Sequence, residues 1–156
     1  MATYANQTTV SPDKSLADIR GTVERYKASE FMFGMNQDRA IIGFCMQSRR
    51  VKFVLTIPKI TDNEITHDAR GFWRQERSRK NTLEQLIRQR WRALFLVIKA
   101  KLEAVESGIT TFEQEFLAHL VLPDGRTYGE FAVPQLEAAY KQGEMPTALP
   151  WLGENN

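Results

Sequence analysis

The chain has one cysteine, Cys45, among 156 residues, so no intramolecular disulfide can close and the fold must rest on its core. Histidine is nearly as scarce, with only His67 and His119. Glu115 and His119 are four apart and could share a helical face, but carboxylate-bridged metal sites use Glu-x-x-His at a spacing of three together with further carboxylates. The pair is an incomplete site, and no metal is expected. Gly-x-Gly-x-x-Gly, the phosphate-binding loop and Gly-x-Ser-x-Gly are all missing, which removes the usual nucleotide-fold and hydrolase signatures. Cys45 falls in a strand-like run and reads as a small core residue rather than a nucleophile. Asp124 belongs to a turn and lacks the Asp/Glu-x-Lys that a nuclease carboxylate would bring, as does Glu130. A protein without enzymatic activity and without a cofactor is expected. The longest mostly apolar run, 93–100, is interrupted by Lys99 and falls far short of the ~20 residues that span a bilayer. The N-terminal residues carry neither a basic nor an apolar signal region, so no membrane partner and a cytoplasmic location are expected.

What is present is an ordinary globular composition, 42% hydrophobic, 26% charged and 10% aromatic, in a length suited to one domain with its own core. The net charge of +2 conceals a strong asymmetry: residues 39–101 hold 15 Lys/Arg against 5 Asp/Glu, and residues 102–156 hold 2 against 9. A surface of one sign attracts the other at encounter, so this split bears on partners more than on fold.

Along the chain, residues 1–14 are polar and lack periodicity, the pattern of a flexible arm. Ser15 with Asp18 predicts a capped helix whose apolar face is Leu16, Ile19, Val23 and Tyr26. Three alternating runs follow, through Phe31 and Phe33, through Ala40, Ile42, Phe44 and Met46, and through Val51, Phe53, Leu55 and Ile57. Short polar connections at 36–38 and 48–50 make them an antiparallel meander over about 30–58, closed by Pro58. Residues 59–80 are expected as a long polar loop. Asn81 with Glu84 then caps the longest helix, with apolar residues at Leu83, Ile87, Trp91, Leu94, Ile98, Leu102 and Val105, and Gly108 stops it. Thr110 with Glu113, or Thr111 with Gln114, caps a short helix; Pro123-Asp124-Gly125 is a turn; Val133-Pro134 opens a last helix ending at Gly143. The expectation is an α+β domain over 15–145, a three-stranded antiparallel meander with the long helix packed on one face and shorter flanking helices, followed by an extended tail at 146–156.

The basic centre is the strongest functional signal. Arg49, Arg50 and Lys52 fall at the hairpin; Arg70, Arg74, Arg77, Arg79 and Lys80 in the loop, interleaved with Phe72 and Trp73; Arg88, Arg92 and Lys99 on the flank of the long helix away from its apolar stripe. On a solvent-facing flank, truncation of Arg88 or Arg92 is expected to be mild, about 0.5 kcal/mol at most. Cations hold backbone phosphates and aromatic faces stack on unpaired bases, so this mixture suits single-stranded nucleic acid. The competing readings are a solvated charged face neutralised by the acidic half, with Trp73 anchoring the loop to the core.

The stretches Phe31-Met-Phe-Gly34, Arg39-Ala-Ile-Ile-Gly-Phe44, Arg90-Trp-Arg-Ala-Leu-Phe95 and onward to Glu106, Gly108-Ile-Thr-Thr-Phe112 and onward to His119, and Leu122-Pro-Asp-Gly-Arg126 resemble a family of small phage- and prophage-encoded proteins. That resemblance spans about residues 15–150 and implies a phage origin, hence the cytoplasm of a host cell. In element order alone the chain is also similar to the core of phage single-strand annealing proteins of the Erf and Sak kind. Three functions are therefore open: a nucleic-acid-binding accessory protein, with homo-oligomer formation open; an interaction protein whose acidic half inhibits a host enzyme or defence complex; and a binder of small anionic nucleotides.

Overall fold

The computed structural model describes residues 4–143; the expected tail at 146–156 lies outside them. The first helix, α1 (Pro12–Arg25), begins inside the stretch expected as an arm, because Ser11 takes the cap: its hydroxyl accepts from Lys14 N, and Pro12 occupies the first turn, where its missing N–H costs nothing. Ser15 is therefore not a cap. It is buried within α1, and its Oγ has no hydrogen-bond partner. Residues N-terminal to α1 are tied down as well: Gln85 Nε2 donates to the carbonyls of Asn6 and Thr8, each at 3.0 Å.

The meander forms as expected, β1 (Glu30–Met35), β2 (Arg39–Met46) and β3 (Arg49–Thr56), antiparallel in the order β1-β2-β3. The second turn is tighter than expected. Gln47 and Ser48 both have positive φ, 49° and 59°, the two-residue geometry whose twist matches that of the strands. Arg49 and Arg50 consequently belong to β3 and not to the turn. Period-two alternation then divides the sheet: Ala40, Ile42, Phe44, Met46, Val51 and Phe53 are buried on one face, while Met32, Ile41 and Val54 are exposed on the other.

The buried face packs on α1 and on the long helix α3 (Glu76–Glu106) through Ile19, Val23, Trp91, Phe95, Ile98 and Leu102. Helix α3 starts five residues before the expected Asn81, because nothing from Glu76 to Lys80 breaks a helix and these two pair at i,i+4, 3.0 Å apart. Its end is as expected, with Gly108 at φ 75°. At about 1.5 Å per residue α3 is roughly 46 Å long, whereas an eight-residue strand spans about 26 Å. Arg90 reaches the carbonyl of Thr56 at the end of β3, so the first turns of α3 overhang the sheet. Helix α2 (Asn63–Thr66) packs on α3 through the Glu64–Arg90 pair, and Arg79 in the first turns of α3 meets Trp73 of the segment 67–75.

Helix α1 covers the flank of α3 that was expected to face solvent. Arg92 donates to Asp18 at 2.8 Å and lies over the Phe95 ring, 4.2 Å from its centroid, with both charged side chains mostly covered. Lys14, chiefly, and then Arg92 hold the Asp18 carboxyl below its ordinary value of 3.8 by hydrogen bonding. A carboxylate depressed in the fold stabilises above its unfolded pKa, and the benefit is lost as pH falls through the lowered value, so this contribution disappears below about pH 4. Arg92→Ala is accordingly expected to cost about 1–2 kcal/mol in urea unfolding at neutral pH, clearly more than Lys99→Ala on the exposed part of the helix. Equal, negligible costs at both positions would refute the clasp.

Beyond α3, Thr111 and Gln114 form a reciprocal capping box for α4 (Phe112–Phe116), which runs into a 3-10 turn at Leu117–His119. The last helix, α5 (Tyr128–Gln142), begins ahead of Val133-Pro134, because Thr127 and Glu130 make a second capping box that starts it six residues earlier. Pro134 therefore sits inside α5, where it removes one backbone hydrogen bond. Gly143 ends the helix at φ 70°, as expected. Gly129 lies where α5 crosses the 3-10 turn, and a Cβ there would be 2.9 Å from the Ala118 carbonyl oxygen.

Candidate nucleic-acid interface

The segment expected as a long loop contains a small, self-consistent hairpin. Asp68 N donates to the carbonyl of Phe72, Asp68 Oδ1 accepts from the backbone of both Arg70 and Phe72 at 2.9 Å, and Gly71 takes φ 83° to close the turn. An aspartate accepting from backbone N–H groups ahead of it is a standard way to hold a tight turn. His67 and Trp73 pair across the hairpin, with their rings edge to face at 5.0 Å. The effect is to lift two aromatic side chains into solvent: Phe72 is 68% exposed and Trp73 64%. Trp73 thus does not plug into the core, as the competing reading required.

Cations flank these rings along the chain, and one of them meets Trp73 in space. Arg79, one turn into α3, places its Cζ 5.2 Å from the Trp73 ring centroid, a cation–π contact that fixes the indole; its Nε is buried without a hydrogen-bond partner. Arg74 is half-buried and donates through Nε to the carbonyl of His67 at 3.0 Å, which closes the base of the hairpin. Arg70 and Arg77 are exposed and make no side-chain hydrogen bond or ion pair among the described residues. Lys80 pairs with Glu76, both exposed; such a pair is weak and opens readily to a phosphate. The lysine's hydrogen bond, foremost, lowers the Glu76 pKa.

The remaining basic residues lie elsewhere. Arg49 and Arg50 are exposed at the far end of β3, about 20 Å along the strand from the overhang at a rise of ~3.3 Å per residue. Lys52 is engaged by the Gly125 carbonyl at 3.2 Å and by Glu130 at 3.5 Å. Arg88 is half-buried and bonded to Gln85, and Arg92 belongs to the α1 clasp. Lys99 alone of the three helix cations is exposed. The single basic region read along the chain is, in space, one compact aromatic and cationic knob at the α3 overhang, a separate pair of arginines at the hairpin end, and cations engaged in holding the fold.

The other chemical candidates have structural roles. Glu115 accepts from Lys101 Nζ at 3.1 Å. His119 stacks on Phe53 at 4.0 Å, and burial above all, then Lys101, pushes its pKa down. Asp124 caps its turn through Arg126, and Glu130 completes a capping box. Cys45 is half-buried and, being paired with Glu30 and Arg50, lies on the open face of the sheet rather than in the core. Among the described residues no group of three or more His, Cys, Asp or Glu could hold a metal ion, and no helix is long and apolar enough to cross a membrane.

The part of the site that sequence reasoning missed is its scaffold, Asp68, Gly71 and His67. The Asp-x-x-Gly spacing was the available signal. No family model, curated protein or solved structure matches the chain.

Proposed function

We propose that this is a non-enzymatic, phage-encoded accessory protein that binds single-stranded nucleic acid through the knob at the start of α3. The observation that carries the reading is the pair of exposed rings, Phe72 and Trp73, on a hydrogen-bonded hairpin near Arg70, Arg74, Arg77 and Arg79 in the chain. Unpaired bases would offer faces to the rings, and the exposed guanidiniums of Arg70 and Arg77, with the remaining N–H groups of Arg74 and Arg79, would meet adjoining phosphates. A duplex hides its bases and offers only phosphates to the same surface, so single strands are preferred. The nucleotide-binder reading is less well supported because Phe72, Trp73, Arg70 and Arg77 do not line the cavity beside them. The cavity beside them, about 310 Å³, is lined by Glu64 and Asp68 as well as Arg74, and those carboxylates repel a phosphate.

The test is a titration against single-stranded DNA, duplex DNA and RNA at two salt concentrations. With four phosphates neutralised, single-strand affinity should fall roughly 50-fold between about 50 and 200 mM salt, from a slope near −0.7 per phosphate. Binding that ignores salt, or that favours duplex, removes the proposal.

A protein partner is the second reading, and one observation favours it. Helix α5 buries no residue, and Phe131, Val133, Leu136 and Tyr140 are all exposed along it. A stoichiometric partner retained from nuclease-treated host lysate, and lost on Leu136→Glu, would move the function to this half of the molecule.

A further inference from the structure

Strand β1 is an open edge of the sheet: it pairs only with β2 among the described residues. Native edges are normally blunted by Pro, Lys or an inward charge, and Glu30-Phe-Met-Phe-Gly-Met35 has no Pro or Lys and a single charge at its first position. Met32, Phe33 and Met35 are 60%, 44% and 63% exposed. Phe33 points to the core side yet covers only part of Trp91, with ring centroids 6.0 Å apart. Both faces of the sheet are therefore under-covered at this one strand.

The phase of the backbone is set by the first hairpin. Asn36 N donates to the Arg39 carbonyl at 3.0 Å, and the register runs Gly34 with Ile41, Met32 with Gly43 and Glu30 with Cys45. Hydrogen-bonded pairs alternate along an antiparallel ladder, so Glu30, Met32 and Gly34 turn their N–H and C=O groups towards β2. Those of Phe31, Phe33 and Met35 point outward, unpaired.

We propose that the occupant of this edge is a second copy of the chain, paired antiparallel about a two-fold axis with Phe33 opposite Phe33. In that register Phe31 and Met35 exchange backbone hydrogen bonds across the axis, and every outward donor and acceptor of β1 is satisfied. Met32 falls opposite Gly34, whose missing side chain leaves it room; no atom lies within 4 Å of where a Cβ of Gly34 would be. Charge is compatible with this register as well. Glu30 falls opposite Asn36 of the second copy, in one row with that copy's Arg39, two strands or about 10 Å away across the open face, a gap that the two long side chains span. Neither Glu30 nor Arg39 makes a side-chain hydrogen bond or ion pair within its own chain among the described residues, although Asp38 feels the charge of Arg39 and Arg50 stands in the row of Glu30 two strands away. The two-fold makes this pairing twice and joins two meanders into one continuous sheet.

Sedimentation velocity across a concentration series up to about 100 µM tests this, since a weak edge-to-edge dimer falls in the micromolar range. The unsubstituted protein should sediment as a dimer at the upper end. Met35→Pro removes only an outward N–H and leaves β1–β2 pairing intact. Because it acts on both copies, it should weaken the dimer about ten- to a hundredfold. Glu30→Arg should weaken it by about three- to tenfold at low salt, and Glu30→Arg combined with Arg39→Glu should restore it, which a merely structural role in the monomer would not do. A protein monomeric at every concentration leaves the edge to another kind of strand and overturns the self-pairing. A dimer unmoved by Met35→Pro, or a charge swap without recovery, also overturns it.

Discussion

Phe116→Ala is expected to cost about 3–5 kcal/mol, the range for truncating a large buried aromatic, and to lower the thermal midpoint by roughly 10 °C in a domain of this size. The Phe116 side chain is fully buried and is the hub of the aromatic core. Its ring meets Phe44 and Phe53 edge to face at 6.0 and 6.4 Å and tilts on Phe112 at 5.0 Å. Helix α4 has five residues, too short to persist without tertiary support, so Phe112 and Phe116 are what hold it to the sheet. Loss of the ring therefore opens a cavity and also frees α4 and the turn after it. Leu117→Ala, at an exposed neighbour, should stay within about 0.5 kcal/mol. Urea melts of the two variants decide the matter, and a similar cost for both would mean that the core is centred elsewhere.

The second large effect belongs to the knob. Phe72→Ala and Trp73→Ala should each reduce single-strand affinity by about ten- to a hundredfold, from the 1–3 kcal/mol typical of a lost base stack. Duplex binding, which uses only the cations, should change little. Because both rings are mostly exposed, the melting temperature should be nearly unaffected, so the loss cannot be ascribed to unfolding. Both variants binding single strands normally would locate the interface elsewhere and leave the arginines as a solvated face.

Legibility followed locality. The meander could be read because alternation over Ala40–Met46 and Val51–Leu55 is a backbone property that packing then confirms, and the capping pairs at Thr111 and Gly143 act within a few residues. The errors came where two signals of equal local quality competed. Ser15 with Asp18 and Ser11 before Pro12 both look like helix starts, and Asn81 with Glu84 mimics a cap although nothing upstream interrupts the helix. Val133-Pro134 imitates a first turn, but the capping box at Thr127 begins α5 sooner. The candidate site was half legible. Composition identified Trp73 and the arginines around it, but a helical wheel cannot say that α1 will cover one polar flank of α3. Arg92 therefore looked like a ligand-facing cation when its partner is Asp18, far away along the chain. The separation of Arg49 and Arg50 from the knob is likewise a consequence of strand length, invisible until the sheet is assembled.

The same Asp18–Arg92 contact bears on the order in which the molecule assembles. It joins residues 74 positions apart, whereas each strand pairs with the strand next to it in sequence. Closing a longer loop costs more chain entropy, so the two hairpins can form early and the docking of α1 on α3 belongs to a later stage of folding. A contact made after the rate-limiting step leaves the folding rate almost untouched and acts on the rate of escape from the native state. The clasp is then expected to act as a brake on unfolding, with Arg92→Ala shortening the lifetime of the folded molecule while leaving its folding rate almost unchanged.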